Sequence, residues 1–556
     1  MTSNTTKRFR TSFGENIFRT KYAQGPSDSW DLLVDRLMED VCGTRWGTMA
    51  PLMHPDERKL LGQYIKEMKF IPGGRYLYYA GRPFKAYNNC YLLRAEEDTR
   101  EEWSALTWRG MSCLMTGGGI GADYSRLRPA GAPLKRTGGL ASGPLPLMYA
   151  INEIGRNVMQ GGSRRSAIYA SLNWKHDDIN EFLTSKNWHN MRVGDTTMWH
   201  LKHENFNYPA PLDMTNISVN YDTEALEKGL ETNPIFLKNV EQALSTGEPG
   251  FSFNFYEKEN ETLRNACTEV TSEDDSDVCN LGSVNMGNVE SLEEFRSIVE
   301  LGSKFLVCGT LRGELPYEKV YKVREKNRRL GLGLMGIHEW LLKRGYKYEV
   351  NDELRKWLSI YRDVSELAAN EHCDRFYLSR PAAYRAIAPT GTIGIIAGTT
   401  TGIEPLYAVA YKRRFLTNGT TWKYEYVVDA TARDLIQRYG IVPDEIETAS
   451  DLAADPERRI KFQADVQDYV DMSISSTINL PAWGGDMNNQ NKVADFASML
   501  SKYAPRLRGF TCYPDGSRGG QPITKVDYEH AMKHKGTVFE ENDICDITGK
   551  GGSCGV

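Results

Sequence analysis

The sequence predicts an α/β fold in which strands and helices alternate around a large core. Length is the first reason: 556 residues bury a full core and leave room for two to four domains, or for one large barrel with small appendages. Composition is the second, with 40% apolar and 25% charged residues, ordinary values for a soluble enzyme. The third is periodicity, which switches between strand and helical spacing along the middle of the chain.

The elements follow in order. The chain opens on MTSNTTKRFRTSFGEN, which is polar and lacks the apolar stretch of a signal peptide. No apolar run approaches the roughly 18 residues of a membrane span. Ser29–Val41 and His54–Phe70 place apolar groups at helical spacing, and the second begins with a Pro and acidic residues, a helix start. Residues 70–90 pass through a glycine-rich turn into a β-type segment that carries Cys90. Thr116–Gly131 contains GGGIG, but Gly117, Gly118, Gly119 and Gly121 run into Ala122 and Asp123 and miss the dinucleotide spacing. Met159–Leu183 reads as a flexible turn, a strand and a helix opened by Asp177 and Asp178; Met214–Asp222 reads as an alternating strand. Val323–Gly345 is the longest basic-then-apolar helical stretch, with His338 packed on its apolar face. Arg508–Pro522 forms a short strand and a tight turn, after which the chain is polar to its end.

Chemistry concentrates in Asn265–Gly282, NACTEVTSEDDSDVCNLG. If its first five residues are extended, Asn265, Cys267 and Glu269 project to one face. An amide, a thiol and a carboxylate so placed suit chemistry on a hydroxylated carbon: a sulfur that accepts a hydrogen, a base, and a group that orients the hydroxyl. The same spacing also fits a polar loop with one buried cysteine. Pro389–Ile393, PTGTI, offers hydroxyls and open backbone N–H groups for phosphate oxygens, or forms a Thr/Gly-rich buried strand and turn. The net charge of −5 argues against non-specific nucleic-acid binding. Ten scattered cysteines form no secreted disulfide framework and no C-x₂-C zinc pattern, and nine histidines show no H-E-x-x-H; a cytosolic location with some thiols in redox use is expected, with no metal bound by this chain alone. Cys545 and Cys554 flank a Gly/Lys/Ser linker, which suits thiol–disulfide exchange on a mobile terminus or is incidental.

Taken together, these motifs resemble the catalytic chains of ribonucleotide reductases. In that family N-x-C-x-E, here Asn265, Cys267 and Glu269, precedes C-N-L-G-S, here Cys279–Ser283. An upstream thiol matches Cys90 in YNNCYLL and a second substrate loop matches Pro389–Pro405, all in the family's order. The resemblance implies a ten-stranded α/β barrel of two antiparallel five-stranded halves over residues 86–525, after a helical region at 1–85 and before a flexible redox-active tail at 526–556. It implies reduction of ribonucleoside di- or triphosphates to 2′-deoxyribonucleotides for DNA synthesis. Cys267 would become a thiyl radical, helped by Asn265 and Glu269, while Cys90 and Cys279 would supply two electrons and close a disulfide. Asn89, Gly118, Pro389, Thr390, Gly391, Thr392 and Ile393 would bind substrate. Asp98, Lys135 and Arg136 would lie near a deoxynucleotide or ATP effector, with Gln160, Arg164 and Arg165 in the specificity loop. Cys545 and Cys554 would pass on electrons from thioredoxin or glutaredoxin, and a homodimer is compatible with this scheme. Too little chain precedes Cys90 for a regulatory cone domain, so overall control by ATP and dATP is expected to be absent.

The family divides by radical source. One class draws its radical from a separate di-metal, ferritin-like subunit through two adjacent tyrosines. Another generates it with adenosylcobalamin at the active cysteine. At the corresponding place this chain has Cys512-Tyr513 in TCYPDGSR, similar to the T-x-Y-x-D-G-S-R of the cobalamin class. Adenosylcobalamin is therefore the implied cofactor. The alternative is a radical-generating partner acting through Tyr513 alone, and outside the family a non-catalytic nucleotide-binding α/β protein.

Overall fold

Three helices lead the chain: α1 (Ser12–Lys21), α2 (Trp30–Cys42) and α3 (Pro55–Lys66). Each begins where a side chain accepts an otherwise orphaned backbone N–H, Thr11 from Gly14, Ser29 from Leu32 and His54 from Asp56. The structure, a computed structural model, describes residues 8–44, 51–158, 166–205, 207–417, 421–517 and 523–540. The apolar faces of these helices do not form a core of their own. Phe18, Trp30, Leu37 and Leu61 join one buried cluster with Val284, Leu306 and Leu332 of the barrel region.

After the short strand β1 (Phe70–Pro72) come five strands: β2 (Cys90–Arg94), β3 (Gly119–Asp123), β4 (Ile168–Asn173), β5 (Thr215–Tyr221) and β6 (Gly250–Phe253). They are mutually parallel and neighbours in chain order, each returned by a helical crossover. The second half contains β7 (Asp277–Asn285), β8 (Leu330–Met335), an extended segment at 385–387, β9 (Thr477–Leu480) and β10 (Gly509–Pro514). These too are parallel to one another. The 385–387 segment completes the row, since Ala386 N–H donates to Leu332 O and Ile387 N–H to Ser473 O. The halves meet antiparallel at both seams, Phe510 opposite Phe251 and Cys279 opposite Cys90. The result is the ten-stranded barrel of two antiparallel halves expected from the sequence. β1 is an addition outside the ring, paired with Gly282–Val284 of β7.

One expected helix is not a helix. Val323–Gly345 breaks into the end of the helix Glu318–Asn327, then β8, then the helix Ile337–Lys343. The alternating glycines of Leu-Gly-Leu-Gly-Leu explain this: a Cβ at Gly331 would sit 2.2 Å from the Leu281 side chain, and one at Gly333 would sit 2.7 Å from Ala386 O. The segment is a strand pressed between two others, where side chains on one face have no room. The tail also differs from expectation at its start. Ile523–Lys525 and Val538–Glu540 pair with Ala410–Thr417 and Thr421–Val428 in a separate four-stranded sheet, so residues 526–540 belong to that sheet and its helix Tyr528–Lys533. No helix among the described residues is long and apolar enough to cross a membrane.

Candidate active site

Between β6 and β7 the chain enters the barrel as a finger, in which Leu263–Arg264 pair antiparallel with Thr271–Ser272. Small residues make space for it. A Cβ on Gly121 would lie 1.8 Å from Arg264 O, and one on Gly119 would lie 3.0 Å from the Ala266 methyl. From the other half, Ser473 N–H donates to Glu269 O at 2.9 Å. The tip is a tight turn, and this corrects the extended reading of NACTE. Thr268 has φ +71°, its N–H donates to Asn265 O, and Val270 N–H donates to Asn265 Oδ1 at 2.9 Å. Although the backbone turns, Asn265, Cys267 and Glu269 all line the same cavity of about 300 Å³.

That cavity is enclosed by the finger tip, the start of β2, the middle of β7 and the loop Ala388–Ile393. Cys90 lines it, and Cys279, its cross-strand partner, lies directly behind. Directly opposed residues of an antiparallel pair have Cα atoms about 4.5–5.5 Å apart, within the range a disulfide spans. No disulfide links any of the eight described cysteines, and Cys267 alone among them is not buried. Asn265 Nδ2 donates to Cys90 Sγ at 3.0 Å, and Cys90 Sγ points to Glu269 Oε1 at 3.8 Å.

The electrostatics follow from burial. Burial pushes the Glu269 carboxyl up to about 7, against the hydrogen bonds of Asn265 and Cys90. Cys90 is held well above the ordinary thiol range by burial and then by the Glu269 carboxylate. Cys279 is raised too, by burial and then by Asp277 and Glu269. Two acceptors on cavity-lining residues, Glu269 Oε2 and Asn89 Oδ1, are buried without a hydrogen-bond donor. Buried acceptors left open in this way call for donor groups on a ligand.

A profile of the ribonucleotide reductase barrel domain matches residues 88–362 and 379–511. The chain belongs to the ribonucleotide reductase family. A vitamin B12-dependent ribonucleoside-diphosphate reductase of Mycobacterium tuberculosis is 26% identical over 533 residues, spanning 85% of this chain and 74% of that protein. One of the same name from Thermoplasma acidophilum is 26% identical over 539 residues, spanning 86% and 68%. The fold is also that of a solved B12-dependent (class II) ribonucleotide reductase, with TM-score 0.70 and 16% identity over 97% of this chain and 96% of that one.

Within this family frame, the other expected residues divide. Asn89, Pro389, Thr390, Gly391, Thr392 and Ile393 all line the cavity. Thr390 adopts φ +50° as a non-glycine residue and is pinned there by Gly402 N–H donating to its Oγ1 at 2.8 Å, just before the helix α4 (Gly391–Ala397). Gly118 does not line it, because its missing side chain would point into the Tyr91 ring; its neighbours Gly117 and Gly119 are the lining residues. Asp98 is tied to Arg128, accepting from its backbone N–H at 3.0 Å and from its guanidinium. Lys135 and Arg136 lie exposed at the tip of the hairpin closed by Pro133 and Leu140, and no described contact joins them to Asp98. Gln160, Arg164, Arg165, Cys545 and Cys554 lie outside the described residues. Tyr513 is half-buried on β10, and Cys512 is a packed thiol donating to Ala243 O at 3.4 Å. His338 is fully buried and neutral, held down to about 3 by burial, and accepts from Leu406 N–H at 2.7 Å.

Sequence reasoning missed Tyr22, which lines the cavity from the end of α1. α1 is pressed onto α4: a Cβ on Gly14 would sit 2.7 Å from Ile395 O. Arg10 secures the approach by donating to Gly398 O at 2.7 Å and to both Glu339 carboxylate oxygens. The lone trace of this in the sequence is Gly14 inside an otherwise amphipathic helix.

Proposed function

We propose that this chain reduces ribonucleotides to 2′-deoxyribonucleotides with adenosylcobalamin as its radical source. The convergence of Cys267, Cys90 and two open acceptors on one cavity, with Cys279 paired to Cys90 across the strands, carries this reading. Glu269 Oε2 and Asn89 Oδ1 suit the hydroxyl donors of a ribose, and the Thr390–Ile393 backbone suits its phosphates. The names of the relatives support the cofactor and favour diphosphates as substrates.

Bound adenosylcobalamin supplies a carbon radical able to take hydrogen from a thiol. The thiol present fits that role, since Cys267 lines the cavity and is the one described cysteine that is not buried. As a thiyl radical Cys267 takes the 3′-hydrogen of the ribose, and Glu269 receives the 3′-hydroxyl proton. The 2′-hydroxyl leaves as water. Cys90 and Cys279 supply two electrons and two protons and become a disulfide, after which Cys267 returns its hydrogen to the sugar and Glu269 returns its proton to the 3′-oxygen. Asn265 keeps Cys90 oriented through its amide. Thioredoxin or glutaredoxin, acting through Cys545 and Cys554, re-reduces the pair, and a deoxynucleotide or ATP effector near Lys135 and Arg136, read through the specificity loop of Gln160, Arg164 and Arg165, tunes substrate choice.

The test is reduction of CDP and CTP by the purified chain with dithiothreitol, with and without adenosylcobalamin. Deoxynucleotide is expected only when the cofactor is present. A chain inert with adenosylcobalamin but active with a ferritin-like radical subunit overturns the cofactor assignment, and one inert under both conditions overturns the activity.

A further inference from the structure

A second group of sulfurs lies outside the catalytic cavity. Cys42 is the last residue of α2, Cys308 sits in the long helix Leu292–Arg312, and His372 is near the end of the helix Asp352–Arg375. All three are buried, and the mechanism above uses none of them. Cys308 Sγ lies 3.3 Å from His372 Nε2 and 3.6 Å from Leu52 O, and the Cys42 thiol is near enough to Cys308 to couple to it electrostatically. Two sulfurs and an imidazole thus gather where three helices meet. Arg312, one turn beyond Cys308, donates to Gly43 O at 3.3 Å and holds the end of α2 against the same helix.

The neighbourhood favours a thiolate at one sulfur of the pair. Burial raises Cys308, but hydrogen bonds from Cys42 and His372 and the positive charge of His372 and Arg312 outweigh it, leaving Cys308 below the ordinary thiol range. Cys42 is raised by burial and by Cys308. One low thiol beside one high thiol, with an imidazole to take a proton, is the arrangement of an attacking and a resolving cysteine.

We propose that Cys42 and Cys308 are a second dithiol, an oxidation site that closes to a disulfide when the protein meets hydrogen peroxide. Cys308 gives its proton to His372 and attacks one peroxide oxygen. The O–O bond breaks, the leaving hydroxide takes a proton and departs as water, and Cys308 becomes a sulfenic acid. Cys42 sulfur then attacks the Cys308 sulfur, the S–O bond breaks, and a second water leaves. Two thiols lose two electrons, and peroxide gains them. Peroxide is close to water in size, and Cys42 ends its helix before Gly43, where local opening is easiest. Both thiols are buried where α2 packs on the helix Leu292–Arg312, so closure joins side chains of two helices already packed on each other, at the roughly 2.05 Å of the bond. The disulfide ties α2 to the helix whose Leu306 O accepts from Asn280, the residue after Cys279, so its product braces the back of β7.

The experiment is peptide mapping of the full reduced chain after hydrogen peroxide, with remaining thiols alkylated in denaturant. A peptide linking Cys42 to Cys308, reversed by dithiothreitol, is expected in wild type and also in the Cys90→Ser/Cys279→Ser variant, which separates it from the active-site pair. His372→Gln is expected to slow its appearance several-fold without changing the linkage. Cys308→Ser should leave Cys42 fully alkylated, and if that variant does not fold, the wild-type map decides alone. Cys42 and Cys308 both alkylated under peroxide that already links Cys90 to Cys279, or either one found joined to a different cysteine, overturns the proposal. This outcome is independent of whether the chain reduces nucleotides.

Discussion

Cys90 and Cys279 face each other across two barrel strands, whereas Cys42 and Cys308 meet at a junction of helices behind that wall. Both pairs are buried, and burial raises Cys90, Cys279 and Cys42 alike, yet Cys308 goes the other way. Glu269 and Asp277 surround the strand pair, and both of its thiols are raised. His372 and Arg312 flank the helix pair, and Cys308 is lowered. A thiol that keeps its proton until the sugar needs it serves as a hydrogen and electron donor. A thiol that loses its proton early is a nucleophile. Burial raises all four thiols, and the hydrogen bonds and charge beside Cys308 are what bring that one back below the ordinary range.

The largest effect expected from this contrast comes from identical changes at the two pairs. Cys90→Ser or Cys279→Ser should lower multiple turnover on the order of a thousandfold or more, as should Cys267→Ser, since a hydroxyl cannot replace a thiyl radical or close a disulfide. Cys42→Ser and Cys308→Ser should leave turnover within about twofold of wild type. Steady-state deoxynucleotide formation, read beside thermal melts to confirm folding, makes the comparison. Equal losses at both pairs would erase the distinction.

Glu269 sharpens the contrast, because it is the charge that separates the pairs. Glu269→Gln should cost about 10²–10⁴-fold in kcat as the base is lost. In wild type, activity should fall as pH drops below about 7, where the carboxylate takes up its proton. Stability moves the other way. The folded-state pKa of about 7 lies above the ordinary 4.5, so the folded chain binds the extra proton. The contribution is present below the unfolded value and is lost as pH rises through about 7. Glu269→Gln should therefore stabilise the protein at pH 8, by at most roughly 3–4 kcal/mol, and change little near pH 4. The same substitution should let Cys90 alkylate at lower pH and leave Cys308 unmoved. A Cys90 that does not respond would show that burial alone sets that thiol.

What could be read beforehand follows from how far each feature reaches along the chain. Asn265, Cys267 and Glu269 sit within five residues, so their grouping was legible even though the tip turns instead of extending. Cys90 and Cys279 needed the family's order of motifs, because only the closed barrel sets them side by side. Tyr22 reaches the cavity through α1 lying on α4, more than three hundred residues later, and no local pattern encodes that contact. The Cys42–Cys308–His372 chain is hidden for the same reason: three helices distant in sequence each contribute one group. The Leu-Gly-Leu-Gly-Leu of β8 was misread because flanking helical spacing outweighed two glycines whose meaning appears only when neighbouring strands press on them.

Cys512 supplies the neutral reference for the two pairs, and Tyr513 beside it gives the smallest expected effect. The Cys512 thiol is raised to about 12 by burial alone, with no carboxylate or imidazole to tune it, and donates only to the Ala243 carbonyl. Lying away from the cavity and keeping its proton, it is neither a donor to substrate nor a nucleophile. It also occupies the slot where a two-tyrosine relay would need its first phenol. A radical arriving through Tyr513 would therefore have no adjacent redox partner on β10, and Tyr513→Phe, which keeps the ring and removes the hydroxyl, should change turnover with adenosylcobalamin by less than about threefold, or ~0.7 kcal/mol. The check is kcat measured with saturating cofactor, together with the cofactor concentration giving half-maximal rate, which reports any loss of packing separately from loss of chemistry. If Tyr513→Phe abolishes turnover while cofactor binding is unchanged, the phenol carries the radical. Cys512 would then no longer be inert, because a radical path on β10 would have to run through or past its sulfur.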